Sequence, residues 1–226
     1  MQGGHRVGIS GNAIMKDGKV SNINYVSSLN FRISKQVLGC SNKIIKYVIN
    51  EDENSIYTTL IVSPPGAGKT TLLRDLVRKL SNGIEQIGFT GKNIGVVDER
   101  GEIAAMYRGI PQNDVGIRTD ILDNVSKALG LTMLIRSMSP QIIVADEIGN
   151  KDEVNPIMQA VCSGIKGVFT AHGGSIEDLK INPTLRELLE SYTFERMIFL
   201  STKEKGEVEK IYALNKVEKE YIPILN

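Results

Sequence analysis

Residues 63–71 read Ser63-Pro64-Pro65-Gly66-Ala67-Gly68-Lys69-Thr70-Thr71. They follow the apolar run Tyr57-Thr58-Thr59-Leu60-Ile61-Val62 and precede a helical pattern of Leu72, Leu73, Leu76, Val77 and Leu80. Strand, glycine loop and helix in that order make a phosphate cradle. Glycines let successive backbone N–H groups close around an anion, and the helix adds the positive end of its dipole. Pro65, Gly66, Ala67, Gly68, Lys69, Thr70 and Thr71 are therefore read as the binding loop for ATP. Lys69 is placed for the β- and γ-phosphates and the Thr70 hydroxyl for Mg²⁺. Ser63 stands where this motif usually has its first glycine, which is tolerable if its φ is negative. The competing reading, a glycine-rich turn that binds nothing, does not account for strand, Gly68-Lys69-Thr70 and amphipathic helix occurring together.

Three further segments end in groups that could act on a bound triphosphate. Gln141-Ile142-Ile143-Val144-Ala145-Asp146-Glu147 is a buried-type strand ending in two acids. Asp146 would orient Mg²⁺, and Glu147 would orient the attacking water or accept its proton. In Ile94-Gly95-Val96-Val97-Asp98-Glu99-Arg100-Gly101-Glu102, Glu99 and Glu102 could polarise water or couple to Mg²⁺, and Arg100 could face a phosphate or a neighbouring subunit. A solvated charged turn is the competing account. Gly167-Val168-Phe169-Thr170-Ala171-His172 delivers an imidazole that can donate to a γ-phosphate or to Glu147.

These groups need a scaffold that brings several strand ends to one edge. From residue 55 the pattern alternates strands at 57–62, 94–97, 141–145, 167–170 and 197–201 with helices at 69–81, 121–138, 152–163 and 184–191. That alternation specifies an α/β fold with a mostly parallel sheet covered on both faces. In the 121–138 helix, Ile121, Leu122, Val125, Leu129 and Met133 recur at helical spacing and are read as core. Residues 208–214 and 221–225 read as a closing hairpin. Residues 5–35 alternate short β-prone runs with turn signals such as Asp17-Gly18, and residues 36–49 carry a helical pattern. The chain is accordingly divided at the polar break 50–54 into a small N-terminal α+β piece, 1–50, and an ATPase domain, 55–226. Gly3, Gly4, Gly8 and Gly11 give a start inside β-structure, so the natural protein is expected to extend further toward its N-terminus.

Composition narrows the partners. With 27 Lys and Arg against 26 Asp and Glu, the net charge of +1 gives no broad field for a nucleic-acid backbone. Cys40 and Cys162 follow no metal-ligand spacing and fit unpaired thiols in a reducing compartment. No run approaches the roughly 18 apolar residues of a membrane span.

The motifs in this order resemble the secretion or traffic ATPases of type II, type IV pilus and type IV secretion systems. They are more similar still to the stage III sporulation protein AA family. The likeness is carried by Gly4-His5-Arg6-Val7-Gly8-Ile9-Ser10-Gly11, the Ser63–Asp75 string, Val97-Asp98-Glu99-Arg100-Gly101-Glu102-Ile103-Ala104 and the Met138–Gly149 string. The resemblance implies a RecA-like P-loop core behind the N-terminal piece, assembled as a hexameric ring. Lys69 and Thr70 would be its Walker A residues, Asp146 and Glu147 its Walker B pair, and His172 its histidine box. It also implies an ATPase that energises a membrane channel or secretion complex in bacterial endospore formation. The chain would sit in the cytoplasm on the mother-cell side, peripheral to the membrane through anchored partner proteins. Ring ATPases add an arginine in trans to the γ-phosphoryl. Arg6, Arg32, Arg100, Arg108 and Arg118 are candidates, with Arg32 and Arg108 preferred for their apolar neighbours. Two other readings remain, a nucleic-acid motor or loader and a nucleotide-gated scaffold that hydrolyses little.

Overall fold

The computed structural model describes residues 5–33, 35–201 and 203–225. In chain order the elements are β1 (Arg6–Lys16), β2 (Lys19–Arg32), α1 (Asn42–Val48), β3 (Ile49–Asn50), β4 (Ser55–Ile56), β5 (Thr59–Val62), α2 (Lys69–Asn82), β6 (Gly83–Ile84), β7 (Phe89–Thr90), β8 (Ile94–Asp98), β9 (Thr119–Asp123), α3 (Lys127–Met138), β10 (Ile142–Ala145), α4 (Val154–Cys162), β11 (Lys166–Ala171), α5 (Ile176–Ile181), α6 (Pro183–Glu190), β12 (Arg196–Leu200), β13 (Val208–Asn215) and β14 (Glu220–Leu225). The main sheet runs β14-β13-β12-β5-β11-β10-β8-β9. From β12 to β9 all pairings are parallel, and the antiparallel β13–β14 hairpin closes one edge.

Strands buried on both faces explain the continuous apolar runs in the sequence. Successive side chains alternate between two clusters. Ile142 and Val144 of β10 face one cluster with Leu73, Leu76 and Leu80 of α2, whereas Ile143 and Ala145 face the other with Leu131, Ile157 and Leu188 of α3, α4 and α6. Because every parallel strand ends on the same side, the loops after β5, β8, β10, β11 and β12 share one edge. That edge carries the site.

Two helix expectations change. Residues 119–123 form the edge strand β9, paired with β8 from Ile94↔Thr119 to Asp98↔Asp123. Asn124 then turns the chain at φ 54°, and α3 starts only at Lys127. Helical spacing and strand pairing both accommodate Ile121 and Leu122, and pairing with β8 decides. The expected core stripe shifts with it. Leu129 and Met133 are 55% and 46% exposed, and α3 buries Gly130, Leu131 and Leu134 instead. Gly130 permits this contact, since a Cβ there would stand 2.6 Å from Val97 Cγ1. The helix expected over 36–49 begins at Asn42, after a turn at Gly39 (φ 83°).

The polar break at 50–54 is the turn between β3 and β4, and the chain on both sides of it enters one cluster: Ile44 and Val48 pack with Ile56, Ile61 and Leu72. Asp75 of α2 fastens this junction. It is 1% exposed and accepts from the N–H groups of Gly39 (3.0 Å) and Ser41 (2.9 Å), the Ser41 hydroxyl (2.6 Å) and Arg78. Burial alone would raise its pKa, but these donors hold it below the usual value. What stands outside the core is the β1–β2 ribbon, an antiparallel pair with bulges near Gly11 and Met15 and with Ile9, Val26, Leu29 and Phe31 about half exposed.

At the opposite sheet edge, Glu195 accepts from Lys166 and Lys216, each at 2.8 Å, and from the Thr58 N–H at 2.9 Å. Burial opposes the charge, yet these donors hold the Glu195 pKa down at about 2 against an ordinary 4.5. A carboxylate with a depressed folded-state pKa contributes stability above its unfolded pKa and loses it as pH falls toward the folded one. Urea unfolding of Glu195→Gln should thus show a loss of roughly 1–3 kcal/mol near neutral pH that shrinks between about pH 5 and pH 2. A loss that is the same at both ends would remove the ionic account.

Candidate functional site

The loop after β5 climbs to an exposed apex at Pro65 and Gly66 and returns to Gly68, the N-cap of α2. Gly66 and Gly68 take φ of 80° and 102°, the left-handed region that glycine enters freely. Ser63 is not among the residues with positive φ, so the serine at the first glycine position is accommodated without strain. Its hydroxyl donates to the Pro64 carbonyl at 2.9 Å.

Lys69 is 5% exposed, and its ammonium folds back beneath the loop. It donates to the carbonyls of Ser63 (2.8 Å) and Pro64 (3.2 Å), and lies 3.1 Å from His172 Nδ1. Burial holds its pKa below the usual lysine value, and the carboxylates of Asp146 and Glu147 offset only part of that. An ammonium can only donate, so Nδ1 is the accepting nitrogen and Nε2 carries the hydrogen. Nε2 is 3.1 Å from Glu147 Oε1. Lys69, His172 and Glu147 thus form a chain from the loop to the Asp146-Glu147 strand end, continued by Arg100, whose guanidinium pairs with the other oxygen of Glu147.

Asp146 is the second point of convergence. The Thr70 hydroxyl donates to its Oδ2 at 2.5 Å, and the Thr170 hydroxyl to its Oδ1. Thr170 Oγ1 in turn accepts from the Glu147 N–H at 2.8 Å. That bond holds the peptide of a residue in a strained conformation, since Glu147 has φ 52°. Nothing in the strand pattern singled out Thr170; its role follows from β11 lying beside β10 with Ala145 opposite Phe169.

Glu99 and Glu102 are brought near this group but are committed to other partners. Together with Arg100, Lys127, Asp146 and Glu147 they border a cleft of about 20 Å³, room for one water. Glu99 receives the ammonium of Lys127 at 2.8 Å, and Glu153 approaches the same ammonium at 3.3 Å. Burial acts to lower the Lys127 pKa, but Glu99 and Glu153 raise it overall. Glu102 is paired with Arg6 of the ribbon. Asp98 accepts from the N–H groups of Glu102 (2.9 Å), Ile103 (3.2 Å) and Ala104 (2.8 Å), which fixes this acidic turn.

On the other side of the loop lies a cavity of about 500 Å³, within the range of small-molecule sites. Gly68, Thr70 and Thr71 supply one wall, and Ile33, Val37 and Leu72 an apolar one. Five cationic side chains border it, those of Arg6, Arg32, Lys35, Arg74 and Lys205, against the single carboxylate of Glu102. Arg6 and Arg32 are cross-strand partners at the root of the ribbon. Arg74 is spent on carbonyls, donating to Ile103 at 2.7 Å, Lys35 at 3.0 Å and Glu102 at 2.5 Å. Of the other arginine candidates, Arg108 sits on an exposed turn over Tyr107, and Arg118 donates to the Ser81 carbonyl at 3.2 Å.

The fold and the sequence family can now be named. A family model described as "Sporulation stage III, protein AA" matches residues 1–218. The chain belongs to this family. It is 43% identical over 213 residues to the stage III sporulation protein AA of Bacillus subtilis (strain 168), which covers 94% of this chain and 68% of that protein. Among solved structures it resembles the Legionella pneumophila ATPase DotB, with a TM-score of 0.63, 13% identity and 95% of this chain aligned to 60% of that one. It also resembles the VirB11 ATPase of the Brucella suis type IV secretion system, with a TM-score of 0.50, 14% identity and 79% of this chain aligned to 52% of the other. At such identities the likeness establishes the fold, a RecA-like α/β core shared with secretion ATPases.

Replacing Thr170 by Val keeps the shape but strands the Glu147 N–H and one oxygen of Asp146. Chemical denaturation should register a loss of about 1–3 kcal/mol. A neutral result would mean that water takes over both bonds.

Proposed function

We propose that this protein is an Mg²⁺-dependent ATPase, assembled as a homo-oligomeric ring of six copies, that energises a membrane-associated secretion or channel complex during bacterial endospore formation. The observation that carries the reading is the cavity at the N-terminus of α2 beside the glycine loop, whose described lining holds Arg6, Arg32, Lys35, Arg74 and Lys205 against the carboxylate of Glu102. That charge balance suits a polyphosphate.

The oxygen donors fit a small hard cation. Thr70 Oγ1 and Asp146 Oδ2, already 2.5 Å apart, would hold it directly or through water. Among the described residues no group of three or more His, Cys, Asp or Glu side chains gathers as a metal cage, so such an ion would complete its shell with phosphate oxygens and water. Bound Mg²⁺ would supply positive charge to the β- and γ-phosphate oxygens.

The side chains of the chain do the rest. Lys69 would exchange the Ser63 and Pro64 carbonyls for phosphate oxygens. His172, with its hydrogen on Nε2, would link the loop to Glu147 and register the change at Lys69. Glu147 would orient water for in-line attack through the acceptor capacity that Arg100 and His172 leave on its two oxygens. Glu99 and Glu102 would shape the water cleft beside it. Arg6 and Arg32 would bring the ribbon's charge to the phosphates, and Arg108, on its exposed turn, is the candidate for a neighbour's site.

The pairing of Glu147 with both Arg100 and His172 favours one second reading, a nucleotide-gated scaffold with little turnover. A nucleic-acid motor finds no support in a net charge of +1 and 5% aromatic residues. Among the described residues no helix is long and apolar enough to cross a membrane. The reading places the protein at the cytoplasmic, mother-cell face, where it would act on the membrane through anchored partners.

Phosphate release by the purified protein decides between the readings. Glu147→Gln should lower turnover by roughly 10²- to 10⁴-fold while ATP still binds, and Lys69→Ala should lose binding itself. Wild-type protein that binds ATP without releasing phosphate would establish the scaffold. Mass in solution with an ATP analogue should rise sixfold over the chain if the ring forms unaided.

A further inference from the structure

The β12–β13 connection passes directly over the phosphate loop, although the two are more than a hundred residues apart. It leaves the sheet from β12, the parallel neighbour of β5, and so emerges at the same edge. The connection is closed at its base by the Ser201 N–H donating to the Glu207 carbonyl at 2.7 Å. Its tip is fastened to the glycine loop by main chain: the Gly206 N–H donates to the Ala67 carbonyl at 2.9 Å. A third tie runs from Lys43 of α1 to Glu207 at 2.8 Å.

Both backbones of this contact lie in the left-handed region that favours glycine, Gly68 at φ 102° and Gly206 at φ 79°. The turn lies against the loop at ordinary contact distance: a Cβ built on Gly68 would be 3.7 Å from Gly206 Cα and 4.0 Å from Lys205 Cγ. The stem of Lys205 therefore lies across the N-cap of α2, and its side chain borders the 500 Å³ cavity. Among the described residues Lys205 has no ion-pair partner, unlike Lys43, Lys127, Lys166 and Lys216. An uncompensated lysine is unremarkable on open surface, but this one is held over a helix N-terminus that already favours anions.

We propose that Lys205 is a phosphate-binding residue of the nucleotide site, closing on the polyphosphate from the side opposite Lys69. This rests on the nucleotide reading of the cavity. Its position over Gly68 puts it beside the part of the loop whose amides take the α- and β-phosphates. Those phosphates are common to substrate and product, so Lys205 holds ATP and ADP alike and acts on affinity rather than on the hydrolytic step. Lys69, reaching for the β- and γ-phosphates, has a different task.

The test is calorimetric titration of Mg-ADP and of a non-hydrolysable Mg-ATP analogue into the full chain as wild type, Lys205→Ala, Lys205→Glu, Lys205→Arg and Lys69→Ala. Lys205→Ala should weaken both ligands by a similar factor, roughly tenfold, as expected for one charge-assisted contact. Lys205→Glu should weaken them further, Lys205→Arg should restore most of the affinity, and the difference from wild type should narrow as salt is raised. Unchanged affinities in Lys205→Ala and Lys205→Glu, with Lys69→Ala impaired, would overturn this inference and leave the nucleotide site standing. A loss that Lys205→Arg fails to restore would also overturn it, by making the residue structural. Wild-type protein that binds neither ligand would remove the site and this inference together.

Discussion

Asp146 is the carboxylate on which the site closes. Two threonine hydroxyls reach it, Thr70 from the first turn of α2 and Thr170 from β11, so three segments distant in sequence share one acceptor. The arrangement is possible only because parallel strands end side by side, with β5, β11 and β10 consecutive in the sheet. Neither hydroxyl could be aimed by its own element alone. Each depends on the register that places Ala145 opposite Phe169 and Val62 opposite Ala171.

Around that point the structure keeps its charged groups in defined pairs. Glu99 belongs to Lys127, Glu102 to Arg6, and Glu147 to Arg100 and His172. The partly buried acids lose water and regain donors, which is the condition for tolerating them at all. The same pairing separates two environments across the loop. On the strand-end side carboxylates and cations alternate around a cleft fit for one water. On the cavity side cations outnumber the single acid.

Legibility in the sequence follows the range of the interactions. The strand, glycine loop and first helix were readable because their determinants are contiguous, and β10 and β11 because both-face burial leaves an uninterrupted apolar run. The 119–123 segment was not, since Ile121 and Leu122 satisfy helical spacing and only the non-local ladder to β8 makes them a strand. The acids after β8 stand at the edge where the parallel strands end, but their partners leave no local signal: Lys127 lies in a helix that begins later than helical spacing alone suggests, and Arg6 is more than ninety residues away in the chain. Gly206 beside Gly68 left no local signature either, because each glycine alone reads as an ordinary turn.

The β1–β2 ribbon has one property that follows from its shape. Two strands with both faces wet are marginal by themselves, so its stiffness comes from pairing along its length and its attachment from its root. The root is where Arg6 and Arg32 stand opposite each other, a like-charge pair tempered by Glu102. With 11 residues in β1, the Asp17-Gly18 tip lies roughly 35 Å away. Over such a length, a tilt of a few degrees at the root would become ångströms of travel at the far end.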